Sequence, residues 1–312
     1  MTLLSIVVVN WNVRELLRDC LRSVIREMRL PTEAYELIVV DNASADGSVE
    51  MLRSEFSDVI LIASPDNLGF ARGCQVGYEA ARGEFVLLLN PDTVILDSAI
   101  DAMLAEMGRD LRLGIVGSRL LNSDGSFQRA TGGAFPTLAN LAWNYLFLGH
   151  LLPSRWAPPA LFLDGDPRGL QPIDWVSGAS LLFRRSAVGP TIFDPAFFMF
   201  GEDMALCDRV SREGWKVRLS ADTAILHHHG KSFAQQSDAA VIATAHKGPR
   251  GFFRRSRGAG AALAYDAILF AGFLIRWPLF AIAARLKPGR GHDEMARFSR
   301  RYVATMLRHK SS

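Results

Sequence analysis

The chain has 312 residues, 49% hydrophobic and 21% charged, which is enough apolar sequence to bury a full core and excludes a disordered tail. Its formal net charge of +3 is too small to argue for nucleic acid as a partner. Three cysteines, Cys20, Cys74 and Cys207, are odd in number and far apart, so they give no disulfide framework or metal-type pairing and point to a reducing compartment.

Met1 to Val9 enters apolar residues with no basic leader or small-residue cleavage site, and reads as a first strand rather than a signal peptide. Ser5 to Val9 (SIVVV) is apolar at every position after its serine, as a strand covered on both faces should be. Val13 to Met28 then reads as a helix with Leu16, Leu17, Leu21, Val24 and Ile25 inward. A second unit pairs the strand Leu37 to Val40 with a turn and helix over Ser44 to Leu52, and a third pairs Val59 to Ala63 with a helix over Phe70 to Ala81. A fourth strand is Phe85 to Leu89. This alternation predicts an α/β fold with a mainly parallel sheet and helices on both faces.

The later chain is less periodic. Gly132 to Pro172, rich in Gly, Pro and Trp, is expected to form long loops over the crevice, where acceptor specificity often resides. Ile173 to Phe183 reads as a strand or hairpin arm, Glu202 to Glu213 as a helix and Val217 to Leu226 as an extended segment. Beyond them, Lys247, Arg250, Arg254, Arg255 and Arg257 cluster just before the apolar stretch Ala259 to Ala284. Asp266 and Arg276 interrupt that stretch and leave nine apolar residues in a row, Ala267 to Ile275, whereas a spanning helix needs about 20. A basic cluster beside such a helix suits an element lying in a membrane interface. The alternative is a helix packed on the domain or in a dimer interface of a homo-oligomer.

Polar residues follow the predicted strands directly: Asn10, Asp41, Asn67 and Asn90-Pro91-Asp92. In open α/β sheets ligands bind beyond the carboxyl ends of strands, so these clusters point to one crevice. Asp92 has its backbone set by a buried strand and by Pro91, and a carboxylate so placed suits Mg2+ or Mn2+, which join one or two carboxylates to substrate phosphates. The plainer reading is an Asp that caps the next helix. Asp41, in VVDNASADGS, is placed to accept hydrogen bonds from a nucleobase N–H or a ribose hydroxyl, while Asp46 or Ser48 caps the following helix. A dinucleotide fold wants G-x-G-x-x-G after its first strand, and here the sequence is NWNVRE, which disfavours a dehydrogenase.

Asn67 to Gly73 (NLGFARG) enters a helix whose first N–H groups favour an anion, with Arg72 either meeting donor phosphate or simply solvated. Glu202 and Asp203 follow the aromatic run Phe197, Phe198 and Phe200. Adjacent helical side chains point different ways, so Asp203 is expected to be a general base and Glu202 a positioning or capping residue. Of His227, His228 and His229, alternation along a strand lets at most one or two reach one site.

At these residues the chain resembles the inverting GT-A glycosyltransferases of family 2, most closely their rhamnosyltransferase-like members. The matching stretches are SIVVVNWN (Ser5 to Asn12), VVDNASADGS (Val39 to Ser48), NLGFARG, LLLNPDT (Leu87 to Thr93), WVSGASLLFRR (Trp175 to Arg185), FGEDMALCDR (Phe200 to Arg209) and HHHGKS (His227 to Ser232). The resemblance implies a GT-A fold and a donor site that includes Asn10, Asp41, Asn67, Arg72, Asn90 and Asp92. In it Asp41 binds the base and Asp92 holds the metal, while His227, the preferred member of the triplet, completes the metal shell or touches the diphosphate. It implies Asp203 as catalytic base, with Trp175, Gly178 and Glu202 on the acceptor side or in positioning roles. Asn90 stands where that family's metal motif has its first acid, and Ala205 stands where an acid often lies two residues beyond the base, moving any such role to Asp208.

The implied reaction is direct displacement, most similar to transfer of L-rhamnose from dTDP-L-rhamnose to a cell-surface glycan or lipid-linked saccharide at the cytoplasmic face of the membrane. A UDP-hexose or UDP-N-acetylhexosamine donor is the alternative within the fold. A nucleotidyltransferase and a noncatalytic sugar-binding protein are the alternatives outside it. Residues 1–240 are taken as the catalytic domain, its nucleotide half about 1–120 and its acceptor half about 121–240, and 241–312 as a basic and apolar helical extension.

Overall fold

This computed structural model describes residues 2–163, 165–228, 238–287 and 291–309. His229, Gly230, Lys231 and Ser232 of the last sequence motif lie outside them. In chain order the elements are β1 (Leu4–Asn10), α1 (Arg14–Glu27), β2 (Tyr35–Asn42), α2 (Ser48–Glu55), β3 (Ile60–Ser64), α3 (Gly69–Ala80), β4 (Phe85–Leu89), β5 (Thr93–Ile95), α4 (Ala99–Arg109) and β6 (Leu113–Leu121). There follow β7 (Gly132–Gly133), α5 (Leu138–Tyr145), β8 (Leu170–Pro172), β9 (Trp175–Val176), β10 (Ser180–Arg184), α6 (Arg185–Val188), α7 (Glu202–Arg212), β11 (Lys216–His227), α8 (Asp238–Leu286) and α9 (His292–His309).

The chain forms two compact units, one of Met1–Phe135 with Phe162–Gln235 and one of Pro136–Leu161 with Gln236–Ser312. The first is built on a sheet of order β3-β2-β1-β4-β10-β6-β11-β5, with β8 pairing β11. β3, β2, β1 and β4 are parallel, as the alternating sequence predicts. Beyond β4 the sheet is mixed: β10 enters antiparallel between β4 and β6, and β5 and β8 lie antiparallel to β11.

Alternate residues of β1 face opposite layers. Leu4, Ile6 and Val8 join Leu17, Leu21, Val24, Met51, Leu52 and Met103, which places α1, α2 and α4 on one face. Val7 and Val9 meet α3 on the other, at Gly77 and Gly73. Ile25 departs from the expected inward stripe: it is 49% exposed, because α1 buries only the arc through Leu17, Cys20, Leu21 and Val24.

The expectation of long loops over 132–172 is corrected. Leu138–Tyr145 is a helix begun by a capping box, in which Thr137 Oγ1 accepts from Asn140 N and Asn140 Oδ1 accepts from Thr137 N. That helix belongs to the second unit, where it packs on α8. The domain boundary expected at 240 likewise misses Pro136–Leu161, which belongs with the C-terminal helices.

Within α8 the backbone breaks at Gly258, whose φ of 86° and ψ of 175° are non-helical. The polar residues that interrupt its apolar run have partners. Asp266 accepts from Arg250 Nε at 2.9 Å and lies 2.9 Å from His246 Nε2. Arg276 donates to the carbonyls of Asn144 and Tyr145 and covers the rings of Tyr145 and Phe147. Leu263, Leu274, Ile275, Leu279 and Ile282 remain exposed on the same helix.

A Cβ on Gly77 would collide with Val7 Cγ1 and lie 3.2 Å from Val40 Cγ2, whereas one on Gly108 in α4 meets nothing within 4 Å. Gly77→Ala is expected to lower stability by about 1–3 kcal/mol in denaturant unfolding, and Gly108→Ala to raise it by up to ~1 kcal/mol.

Candidate active site

The strand ends carry the polar residues expected there, and their own hydrogen bonds set their positions. Asn10 and Asp41 are paired across β1 and β2, and Asn10 Nδ2 donates to Asp41 Oδ2 at 2.8 Å. The other Asp41 oxygen accepts from Ser44 N at 2.9 Å, so a nucleobase or ribose would use the lone pairs left over. Asn12, at φ 53°, accepts from Ala45 N through its side chain and completes the turn. Asp46 accepts from the backbone N and hydroxyl of Ser48 and from Arg14 N, which is the capping role expected of it.

Asn67 and Arg72 meet a different outcome. Asn67 Oδ1 accepts from Gly69 N at 2.9 Å, and Phe198 O accepts from Phe70 N at 3.1 Å and Ala71 N at 3.4 Å. The first amides of α3 are therefore engaged by the protein itself, contrary to the expectation of an open anion seat. Arg72 lies exposed on α3. The Phe198 ring also covers Gly69, where a Cβ would sit within 3 Å of it.

Asp92 follows the wholly buried β4. Thr93 Oγ1 donates to Asn90 O at 2.8 Å and closes the turn, and the Cys20 thiol leans on the same carbonyl. β5 then pairs antiparallel with β11, setting Thr93 opposite His227 and letting His228 N donate to Asp92 O at 2.9 Å. This pairing brings the His227 Nε2 to 3.3 Å from Asp92 Oδ1. His228 turns the other way, to Ser123 Oγ at 2.8 Å, as strand alternation requires.

Gln128, which nothing in the sequence singled out, fixes the imidazole. Its Nε2 donates to Asn122 Oδ1 and the His227 carbonyl, so its Oε1 is the acceptor for His227 Nδ1–H at 2.8 Å. The Nε2 lone pair is then presented toward Asn90 Nδ2, at 3.2 Å, and Asp92. A carboxylate oxygen and an imidazole nitrogen facing one another form a donor set that fits a divalent cation. Among the described residues no group of three or more His, Cys, Asp or Glu forms a metal site, so substrate phosphates and water would complete the shell.

Asp203 stands in the first turn of α7, after Phe200 and Gly201, both in left-handed conformations. Its Oδ2 accepts from Gly178 N at 3.2 Å and its Oδ1 from Met204 N at 2.8 Å. Burial raises its pKa, against the lowering effect of those N–H groups. Glu202 is pushed well above the carboxylate range, first by burial and then by the Asp203 charge. Asp208 is tied to Arg212 one turn on and takes no part in this group. Trp175 is 3% exposed and donates its indole N–H to Ala134 O, which fits a positioning role and gives an acceptor no ring face to stack on.

The two acid centres share one end of the sheet. Asp203 is bonded to Gly178, and the next residue, Ala179, accepts from Asn90 N at 3.0 Å, two residues from Asp92. On the other side Asn42 Nδ2 donates to Gly69 O, linking the Asp41 turn to the start of α3.

The fold and the sequence both have known counterparts. The structure is similar to that of a mannosyltransferase from Pyrobaculum calidifontis, PcManGT, solved with GDP-Man and Mn2+: the TM-score is 0.59 at 14% identity, covering 98% of this chain and 86% of that one. In sequence the chain is 28% identical over 240 residues to the N-acetylglucosaminyl-diphospho-decaprenol L-rhamnosyltransferase of Mycobacterium tuberculosis, covering 73% of this chain and 77% of the relative. It is 24% identical over 213 residues to the poly-beta-1,6-N-acetyl-D-glucosamine synthase of Staphylococcus aureus, covering 67% of this chain and 45% of that protein. Residues 5–188, more than half of the chain and the part that carries the Asp41 and Asp92 strand ends, match the family model described as glycosyl transferase family 2, and the chain belongs to that family.

Proposed function

We propose that this glycosyltransferase moves L-rhamnose from dTDP-L-rhamnose to a hydroxyl of a cell-surface glycan or lipid-linked saccharide, with inversion at the anomeric carbon. The observation that carries the donor assignment is the similarity to a rhamnosyltransferase along 73% of the chain. Asp203 takes the proton of the acceptor hydroxyl as its oxygen bonds to the anomeric carbon. The bond from that carbon to the donor phosphate breaks, and the nucleoside diphosphate leaves with the electron pair.

Asp41 and Asn10 hold the nucleoside, and the hydrogen bond between them keeps the carboxylate in place. Asp92 and His227 would hold Mg2+ or Mn2+, which offsets charge developing on the departing diphosphate. Gln128 keeps the imidazole in the tautomer whose proton is on Nδ1, leaving Nε2 unprotonated. Gly178 N, bonded to Asp203, fixes the direction from which the base meets the acceptor.

The second unit supports action at the cytoplasmic face of the cell membrane. Ile242–Leu286 reaches a mean hydropathy of 1.9 over an 18-residue window of which only 17% is buried. Lys247, Arg254, Arg255 and Arg257 are exposed in the first part of the same segment, a distribution that suits an anionic lipid surface. Arg250 is partnered by Asp266 and drops out of that basic set.

A UDP-N-acetylhexosamine donor is the second reading, favoured by the similarity to the staphylococcal synthase. Donor competition against one lipid-diphosphate N-acetylglucosamine acceptor separates the two. Turnover with dTDP-L-rhamnose is expected, and strong UDP-N-acetylglucosamine turnover without it would overturn the rhamnosyl assignment. Asp203→Asn is expected to lower kcat by about 10²–10⁴-fold with donor binding retained, and unchanged kcat would remove Asp203 as the base. Gln128→Leu should weaken apparent Mn2+ affinity about 10–100-fold in titrations of metal-stripped enzyme. In flotation with anionic vesicles, Leu279→Ser combined with Ile282→Ser should cut the bound fraction about tenfold or more, and undiminished flotation would argue against this lipid-facing surface.

A further inference from the structure

Glu202 has a setting that its neighbour does not share. It is 5% exposed, and its Oε2 is buried without a hydrogen-bond partner. Asp203, by contrast, receives backbone N–H bonds on both oxygens. Charging Glu202 would bury an anion that has no cation paired with it among the described residues and set it beside a second carboxylate.

The groups around the pair leave that balance in place. From α3 the titratable group that senses Glu202 is the buried thiol of Cys74. Along α7, Cys207 senses Asp203, Asp174 and Asp208, all of them acids. The Arg209 guanidinium is committed elsewhere, donating to the carbonyls of Val188, Thr191 and Ile192. Among the described residues, it is the Glu202 backbone N–H that favours the charged form of its side chain.

We propose that Glu202 is a positioning residue that stays neutral beside Asp203, so that the pair carries one negative charge and Asp203 ionises in the pH range where the enzyme works. The proposal rests on the reading of Asp203 as base. Removing the Glu202 proton would add an anion against Asp203 and drive the pKa of the base higher, narrowing the range in which it accepts a proton from a sugar hydroxyl.

The sign of the stability effect follows from the same arrangement. A carboxyl whose folded pKa is raised holds a proton that the unfolded chain releases, so stability falls as pH rises through the interval between the two values. Glu202→Gln removes that contribution and should show a shallower loss of stability than the wild-type enzyme as pH rises above the ordinary glutamate pKa of about 4.3.

Two measurements on the full chain test the proposal, with far-UV circular dichroism establishing that each variant is folded. Difference infrared spectroscopy at neutral pH should show a protonated carboxyl C=O band that Glu202→Gln abolishes and Asp203→Asn retains. In the pH profile of kcat/KM, Glu202→Gln should keep the acid limb within about 0.3 pH unit of wild type, with kcat lowered by no more than about fivefold. Absence of the band, or an acid limb displaced downward by about one unit or more, would overturn the proposal, since the latter is what loss of a neighbouring negative charge produces. Full turnover in Asp203→Asn would refute the base assignment instead, and the infrared band in that variant would still report whether Glu202 is neutral.

Discussion

The site depends on a short antiparallel contact, the pairing of β5 with β11. β4 delivers Asp92 from the buried middle of the sheet, and β11 delivers His227 from its far side. Strand register, with Gln128 fixing the imidazole, sets these side chains 3.3 Å apart across 135 residues of sequence. The turn that makes this possible is closed by the Thr93 hydroxyl on Asn90 O and braced by Ala179 O on Asn90 N. The second of these bonds joins the Asp92 strand end to the segment that holds Asp203, so the geometry of each centre constrains the other.

The parallel half of the sheet was legible in the sequence because strands buried on both faces are uninterrupted apolar runs, and β1, β2 and β4 are of that kind. Their ends were legible too, since polar residues directly after such runs have nowhere else to be than the sheet edge. The mixed half was harder to read. β10 and β11 announce themselves as extended segments, but nothing local in them states that one runs antiparallel beside β4 and the other beside β5. That choice belongs to long-range packing.

At the candidate site, Asn10, Asp41, Asn90, Asp92, Asp203 and His227 were named from sequence, partly through a family resemblance. Gln128 was not, because a single glutamine in an irregular segment carries no periodicity, and its role arises from Asn122 Oδ1 and the His227 carbonyl, which orient its amide. The anion seat at α3 failed for a similar reason: the groups that fill it come from Phe198, 128 residues beyond Phe70. In the second unit, Asp266 and Arg276 looked like breaks in an apolar stretch. They are instead its polar anchors, one to His246 and Arg250 and the other to the carbonyl end of α5.

All three cysteines are free and fully enclosed, Cys20 beneath the Asn90 turn with its pKa pushed up to about 12. Reactivity toward electrophiles belongs to the thiolate and needs access, and the native fold denies both. Maleimide capture of these sulfurs therefore requires local or global opening, which gives the enzyme an intrinsic reporter of its own breathing. Cys20 reads the floor of the Asp92 strand end, Cys74 the α3 layer and Cys207 the helix that bears Asp203, so the order in which they are trapped would trace how the catalytic unit comes apart.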